Sequence, residues 1–326
     1  MNTEPALSVV LATPDTYGSI RLTMRYLRTQ TARDRLEILL VGPSPDALQP
    51  AAGDLSGFWG YQVIPVGPVT SIARANAAGV RRARAPLVAL AEDHCFPEPS
   101  WAAALIAAHE GPWAVVGPAI RNANPSTVVS WCDFVVGYGP WMDPVTAGPA
   151  RFLPGHNSCY KKAVLLAYGD RLDEMMEAET VLHFDLERRG YKLHLEPAAL
   201  AAHTNFALAS SWLPVMFHQG RLFGASRART WGAARRLLYG AAAPLIPAVR
   251  LSRCLRELTR PGRPKHRIPR LLPMLGLGLV FDGIGQMVGY LLGAGNAAAR
   301  VARYEFHRFH HVTETDREAA ETQAPG

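Results

Sequence analysis

The run Pro86-Leu-Val-Ala-Leu-Ala-Glu92-Asp93-His94 takes an apolar stretch straight into two carboxylates and an imidazole. Groups of this kind side by side suit a divalent cation. Oxygen donors favour Mg2+ or Mn2+, and an imidazole among them tilts the choice toward the softer Mn2+. Ligands of open α/β sheets bind just beyond the carboxyl ends of the strands, and 86–91 reads as such a strand. The competing reading is a solvated acidic turn after a core strand, because acidic loops are common. A second acidic pair, Glu177 and Glu179, opens a segment with helical spacing over 180–189. A carboxylate there suits general-base chemistry, and it equally suits the positive end of a helix dipole. His156 and Asn157 follow Pro154-Gly155 in a polar turn, and His203 ends a later segment.

The elements that would hold these groups alternate. Residues 7–13, 36–41, 61–66 and 86–91 read as buried strands, and 19–30 and 71–83 read as helices. Further along, 101–109, 161–168 and 180–189 read as helices and 113–116 and 191–195 as strands. The stretch 121–155 is rich in Pro, Gly and Trp and reads as long loops. This βαβ alternation with apolar strands predicts a mostly parallel sheet covered by helices.

Beyond residue 206 the style changes. Residues 1–219 hold 17 Lys/Arg against 20 Asp/Glu, whereas 220–326 hold 17 against 7. Within 220–272 there are thirteen basic residues and one acid, Glu257. That asymmetry predicts a polyanionic surface as partner. Long aliphatic runs, rather than stacking aromatics, separate the basic residues, which argues against nucleic acid. Residues 237–249 are apolar, too short to cross a bilayer, and suit an interfacial segment. Residues 271–294 carry one charge, Asp282, and six glycines. Crossing a membrane, shallow insertion and a soluble core are all open to that segment. Residues 297–312 read as a basic, aromatic interfacial helix, and 313–326 as a disordered tail. The four cysteines show no metal or disulfide spacing, which predicts reduced thiols. The first residues lack a basic and apolar leader pattern, so no signal peptide is expected.

Taken in order, several pieces resemble the family 2 glycosyltransferases of the GT-A fold. They are Leu7-Ser-Val-Val-Leu-Ala-Thr13, the Glu37-Ile-Leu-Leu-Val41 strand, the Gly79-Val80 helix and the acidic edge with Pro97, Pro99 and Trp101. The segment Gly155-His-Asn-Ser-Cys-Tyr-Lys-Lys162, the Glu179 helix and His203 complete the set. The resemblance covers roughly residues 7–206. It implies an α/β GT-A domain over 1–206, Rossmann-like, with a mostly parallel sheet and helices on both faces. A basic, apolar, helical membrane-associating region would follow over 207–312.

The resemblance also implies roles. The family's Asp-x-Asp positions fall on Glu92 and His94, with Asp93 between them as a rival ligand, and His203 matches the late metal-binding histidine. Glu179 matches the catalytic base, with Glu177 as competitor. His156 and Asn157 match the floor of the sugar and acceptor pocket. Thr13, Asp15, Glu92, Asp93 and Arg221 are expected on the donor. Two departures are Gly42-Pro43-Ser44, where the family carries a base-reading acid, and Asn76, where it carries an arginine.

The implied activity is metal-dependent transfer, with inversion, from a nucleoside diphosphate sugar to a hydroxyl acceptor. A UDP-sugar is favoured as donor, with Mn2+ or Mg2+ as cofactor. The acceptor would be lipid-linked or a cell-envelope polysaccharide. The implied location is the cytoplasmic face of the cell membrane, peripheral or shallowly inserted on anionic lipid. The alternative is a catalytically inactive, membrane-associated protein that binds sugar nucleotide or glycan. A nucleotidyltransferase would need a Gly-rich phosphate loop near the N-terminus, which residues 11–20 lack.

Overall fold

Continuous apolar runs make the central strands. Leu7–Ala12 (β1), Leu36–Gly42 (β2) and Leu87–Ala91 (β4) are buried at every position, as strands covered on both faces must be. The computed structural model describes residues 4–51 and 53–325. Its elements fall into two units. One comprises Met1–Arg121, Val145–His203 and Ala320–Gly326; the other comprises Asn122–Pro144 and Thr204–Ala319.

In the first unit β1 is followed by α1 (Tyr17–Arg28), β2, β3 (Gly60–Pro65), α2 (Ile72–Arg82), β4, β5 (Cys95–Pro97), α3 (Trp101–Ala108) and β6 (Val115–Asn122). The chain passes through α4 (Val128–Tyr138) in the second unit. It then returns for β7 (Gly148–Ala150), β8 (Cys159–Lys161), α5 (Lys162–Leu166), α6 (Leu172–Met175), α7 (Glu179–Arg188) and β9 (Leu193–His203). The sheet order is β3-β2-β1-β4-β8-β6-β9-β5, with β7 added on β9. Strands β1 to β4 are parallel, as the alternation predicts. Past β4 the sheet is mixed: β8 runs antiparallel to β4 and β6, and β5 and β7 antiparallel to β9.

Two polar residues sit inside this apolar sheet. Glu37 is fully buried in β2, where Ser8 Oγ donates to it at 2.6 Å, Gln62 Nε2 at 2.7 Å and the Arg84 backbone N–H at 2.8 Å. All three donors sit near the amino ends of the strands, away from the edge that holds Glu92. This carboxylate is saturated and therefore architectural.

The second unit is helical. Besides α4 it holds α8 (Ala209–Arg227), α9 (Ala233–Ala242), α10 (Ile246–Leu258), α11 (Ile268–Leu292), α12 (Ala297–Phe306) and α13 (Glu314–Gln323) as far as Ala319. Helices α8 and α11 run parallel in close contact. A Cβ on Gly278, Gly285 or Gly289 would strike Trp212, Phe217 or Arg221 of α8, and one on Gly220 or Gly224 would strike the α11 backbone. Asp133 of α4 draws its surroundings together. It accepts from Trp212 Nε1 at 3.0 Å and the Phe206 N–H at 2.9 Å, and it pairs with Arg308 at 3.3 Å.

Two expectations are corrected here. The stretch 121–155 is not all loop, since α4 lies within it. The tail is not disordered through 314–323. Thr313 Oγ1 accepts from the Asp316 N–H while Asp316 Oδ2 accepts from the Thr313 N–H, a reciprocal cap that starts α13. The basic residues of 220–236 fall on two helices, α8 and α9, with a break between Arg227 and Ala233.

Candidate active site

Register builds the site. β4 ends at Ala91, so Glu92, Asp93 and His94 leave the sheet together at its carboxyl edge. Thr23 Oγ1 of α1 donates to the Glu92 carbonyl at 3.0 Å and fixes that exit. The chain re-enters as β5, and Cys95 lies opposite His203 of β9. That pairing brings residues more than a hundred positions apart to one place. Nitrogen or oxygen atoms of Glu92, His94 and His203 all lie within 4.8 Å of one another. Glu92 Oε1 is 3.8 Å from His94 Nε2, and Glu92 Oε2 is 3.6 Å from His203 Nε2. These gaps exceed a hydrogen bond, and donors that share one ion are spaced in this range.

The donor set, one carboxylate and two imidazoles at strand ends, suits a divalent cation. Asp93, expected among the ligands, takes another place. Its Oδ1 accepts from His94 Nδ1 at 2.5 Å, and it lies outside the three-residue cluster. The proton is thereby fixed on Nδ1 and the Nε2 lone pair is directed at the cluster, as in carboxylate–histidine–metal arrangements.

The segment after Pro154 supplies the next layer. The Asn157 N–H donates to the Leu90 carbonyl at 2.5 Å, and its Nδ2 donates to Glu92 Oε2 at 3.1 Å. Its backbone has φ 66°, a left-handed conformation that asparagine tolerates. Asn157 is buried, so it braces Glu92 rather than lining an open pocket floor. His156 stands between the two acidic centres. Its Nε2 is 2.8 Å from Glu179 Oε1, and its Nδ1 is 3.7 Å from Glu92 Oε1.

Glu179 opens α7 and rests on Gly155, where any Cβ would overlap its side chain. Burial pushes its carboxyl up. The charge of His156 and the hydrogen bond from it, with the backbone N–H at the helix start, outweigh that and hold it below the usual range. One turn further, His183 Nδ1 accepts from the Leu153 N–H at 3.3 Å. Its Nε2 therefore carries the proton, 2.9 Å from Tyr160 Oη. Burial lowers the His183 pKa to about 4, so the ring is neutral. Gly155, Tyr160 and His183 seat Glu179, and sequence reasoning gave none of them that role. The glycine next to a titratable pair was the available signal.

The remaining expected residues lie elsewhere. Thr13 is buried at the end of β1, where its Oγ1 accepts from the Asp15 N–H at 3.1 Å and bonds Ser19 Oγ at 2.7 Å. Asp15 is exposed in the turn that follows. Glu177 precedes α7 and is half-buried. Arg221 belongs to the second unit, where its Nε donates to the Gly293 carbonyl at 2.9 Å.

No family model and no curated protein matches the sequence. Solved structures do match. The mannosyltransferase PcManGT from Pyrobaculum calidifontis, in complex with GDP-Man and Mn2+, has a TM-score of 0.50 at 14% identity over 90% of this chain and 86% of that one. GalNAc-T7 with UDP, GalNAc and Mn2+ has a TM-score of 0.48 at 11% identity, covering 72% of this chain and 51% of its own. TarS of S. aureus has 0.42 at 12% identity, covering 87% and 55%. The chain thus spans about half the length of the last two proteins. The likeness to the mannosyltransferase is one of fold, and the chain has the GT-A-like glycosyltransferase fold, α/β with helices on both faces of the sheet.

Proposed function

We propose that the first unit transfers a sugar from a nucleoside diphosphate donor to a hydroxyl acceptor, with inversion at the anomeric carbon. The observation that carries this reading is the convergence of Glu92, His94 and His203 with Glu179, joined through His156. A cation-binding set and a separate carboxylate base are the two parts such a transfer needs. The GDP-Man and Mn2+ bound by the mannosyltransferase of like fold support the same donor class.

Glu92, His94 and His203 would hold Mn2+ or Mg2+, which when bound neutralises charge on the departing diphosphate. Glu179, kept ionised, accepts the acceptor hydroxyl proton as its oxygen bonds to the anomeric carbon. The bond from that carbon to the diphosphate oxygen breaks, and the nucleoside diphosphate leaves with the electron pair. His156 donates to Glu179 and fixes the direction of its carboxylate. Asp93 and Asn157 hold His94 and Glu92 in place. Thr13 and Asp15, in the β1–α1 turn, are assigned to the nucleotide side, with a UDP-sugar as the favoured donor. A lipid-linked or polysaccharide hydroxyl is the acceptor class.

The test is nucleoside diphosphate release from a panel of UDP-, GDP- and dTDP-sugars, with Mn2+, with Mg2+ and with chelator. Metal-dependent release from one donor is the expected result and names base and sugar together. Absence of both release and metal-dependent donor binding would return Glu92, His94 and His203 to a structural turn.

A further inference from the structure

The buried face of helix α11 is mixed. It carries Leu271, Leu275 and Leu279, and with them Asp282, Gln286, Tyr290, Gly278, Gly285 and Gly289. Asp282 Oδ2 is 2.6 Å from Arg250 Nη1, Gln286 Nε2 donates to Asp282 Oδ2 at 2.9 Å, and Tyr290 Oη donates to Gln286 Oε1 at 3.2 Å. The opposite face presents Leu277, Val280, Ile284 and Leu291 to the outside, with Pro273 continuing the stripe at the amino end. Helical spacing lines these up over about 27 Å at 1.5 Å per residue. A helix on the surface of a water-soluble protein turns polar residues outward, not an aliphatic stripe. Aliphatic residues facing out, with polar and small residues among those facing protein, suit a helix whose outer solvent is lipid.

A second element extends that face. The corner from α9 to α10 packs on α11 through Gly240 against Leu291, and through Pro247 against Gly283. It exposes Leu237, Leu238 and Leu245 by 63%, 65% and 66%, and Val249 by 46%. Side chains this apolar and this bare leave a contiguous patch that monomeric soluble proteins rarely carry. Around it the chain is almost purely cationic. Arg235, Arg253, Arg256, Arg260, Lys265 and Arg270 are exposed on α9, α10, α11 and the loop between α10 and α11. Trp231 and Tyr239 stack against Arg227 and Arg235, as aromatic residues do at a lipid headgroup level.

We infer that this face of the second unit seats in the outer layer of an anionic bilayer, with α11 lying along the surface rather than crossing it. By length and composition alone α11 qualifies to cross. Its packing decides otherwise. It runs parallel to α8 from Trp212 past Arg221, so a crossing α11 would carry His218, Gln219 and Arg221 of α8 into the hydrocarbon. The Arg221 charge and the polar groups of His218 and Gln219 are unfavourable at the bilayer centre. Lying flat, the aliphatic stripe and the exposed leucines enter the headgroup boundary while the arginines meet anionic lipid. This inference is independent of the transfer reading.

The experiment is flotation of the purified full-length chain with vesicles of phosphatidylcholine alone or mixed with phosphatidylglycerol. Binding to mixed vesicles is expected, at least about tenfold stronger than to phosphatidylcholine. The double variant Leu245→Asp/Ile284→Asp, altered only at exposed positions, is expected to stay unbound with an unchanged melting temperature. Orientation is read with Lys265→Cys and Asn296→Cys, which flank α11. The four native cysteines are buried and reduced, so a membrane-impermeant maleimide reports the new thiol. Both sites are expected to label on intact vesicles. Four results would each overturn the inference. They are a wild-type chain that ignores mixed vesicles, a double variant that floats like wild type, a site protected until detergent is added, and self-association in solution that the double variant abolishes.

Discussion

Among the regions where the chain withdraws carboxylates from water, two networks end differently. Along α11, Asp282 closes on Arg250, Gln286 closes on Asp282, and Tyr290 closes on Gln286, all within 3.2 Å. At the edge of β4, Glu92 stands 3.8 Å from His94 and 3.6 Å from His203, and His156 reaches it only at 3.7 Å. The first network satisfies itself and holds helices in register. The second groups Glu92 with three imidazoles at 3.6 to 3.8 Å, with Asp93 bonded to His94 and Asn157 to Glu92 behind them. That spacing is the one the proposed cation site needs. Burial alone does not separate architecture from chemistry; the spacing of the partners does.

The sharpest way to break this contrast is Glu179→Gln. It removes the base and keeps the shape, so turnover should fall by about 10²–10⁴-fold while donor affinity stays at the wild-type value. Retained turnover would sink the base assignment. In the closed network Asp282→Ala should act on stability instead. It strands Arg250, whose side chain is 28% exposed, and should cost about 3 kcal/mol, the lower end for a broken buried pair. Denaturant unfolding measures this, and donor affinity should not move. A stable variant would mean that Arg250 finds water or another partner.

A subtler test sets bracing against ligation. Asp93→Asn leaves Glu92, His94 and His203 in place but weakens the hold on His94 Nδ1. Mn2+ affinity by calorimetry should drop about 10–100-fold, the usual effect of losing such a partner. A loss of all binding would make Asp93 a ligand after all.

How much of this was legible beforehand differs between the regions in the same way. The central strands of the first unit were readable because each is a mostly apolar run, and Glu92, His94, Glu179 and His203 were singled out as candidates through the order of motifs around them. The register of Cys95 with His203, which unites them, was not, because strand pairing over a hundred residues leaves no local trace. Gly155 looked like a turn residue, and only the packing of Glu179 upon it explains why no side chain is allowed. In the second unit α4 was missed because its sequence, VVSWCDFVVGY, is rich in β-branched and aromatic residues that disfavour an isolated helix. Its burial and the Asp133 contacts override that propensity. The cap that starts α13 was visible as Thr313 and Asp316, but the polar composition around it argued for disorder.

A pH-dependent effect concerns the neutral histidines that support the first unit. Burial first, then the nearby positive charge of Lys161, keeps His109 down to about 4, although its bond to the Cys159 carbonyl opposes this. His183 is lowered to about 4 by burial, against the opposing pull of Glu179. Both pKa values lie below the ordinary 6.5 of the unfolded chain, so the unfolded state binds protons that the folded state refuses. Stability contributed by each ring is therefore complete above about pH 6.5 and is lost as pH falls toward 4, at about 1.4 kcal/mol per pH unit. Below about 4 the dependence flattens, because both states are then protonated. Urea unfolding followed from pH 7 to pH 4 should show this slope for wild type, and His183→Gln should remove one ring's share of it. An unchanged slope in that variant would mean that His183 is already charged in the fold. Its Nδ1 would then carry a proton and could not accept from the Leu153 N–H, so the contacts that hold the ring beside Glu179 would have to be redrawn.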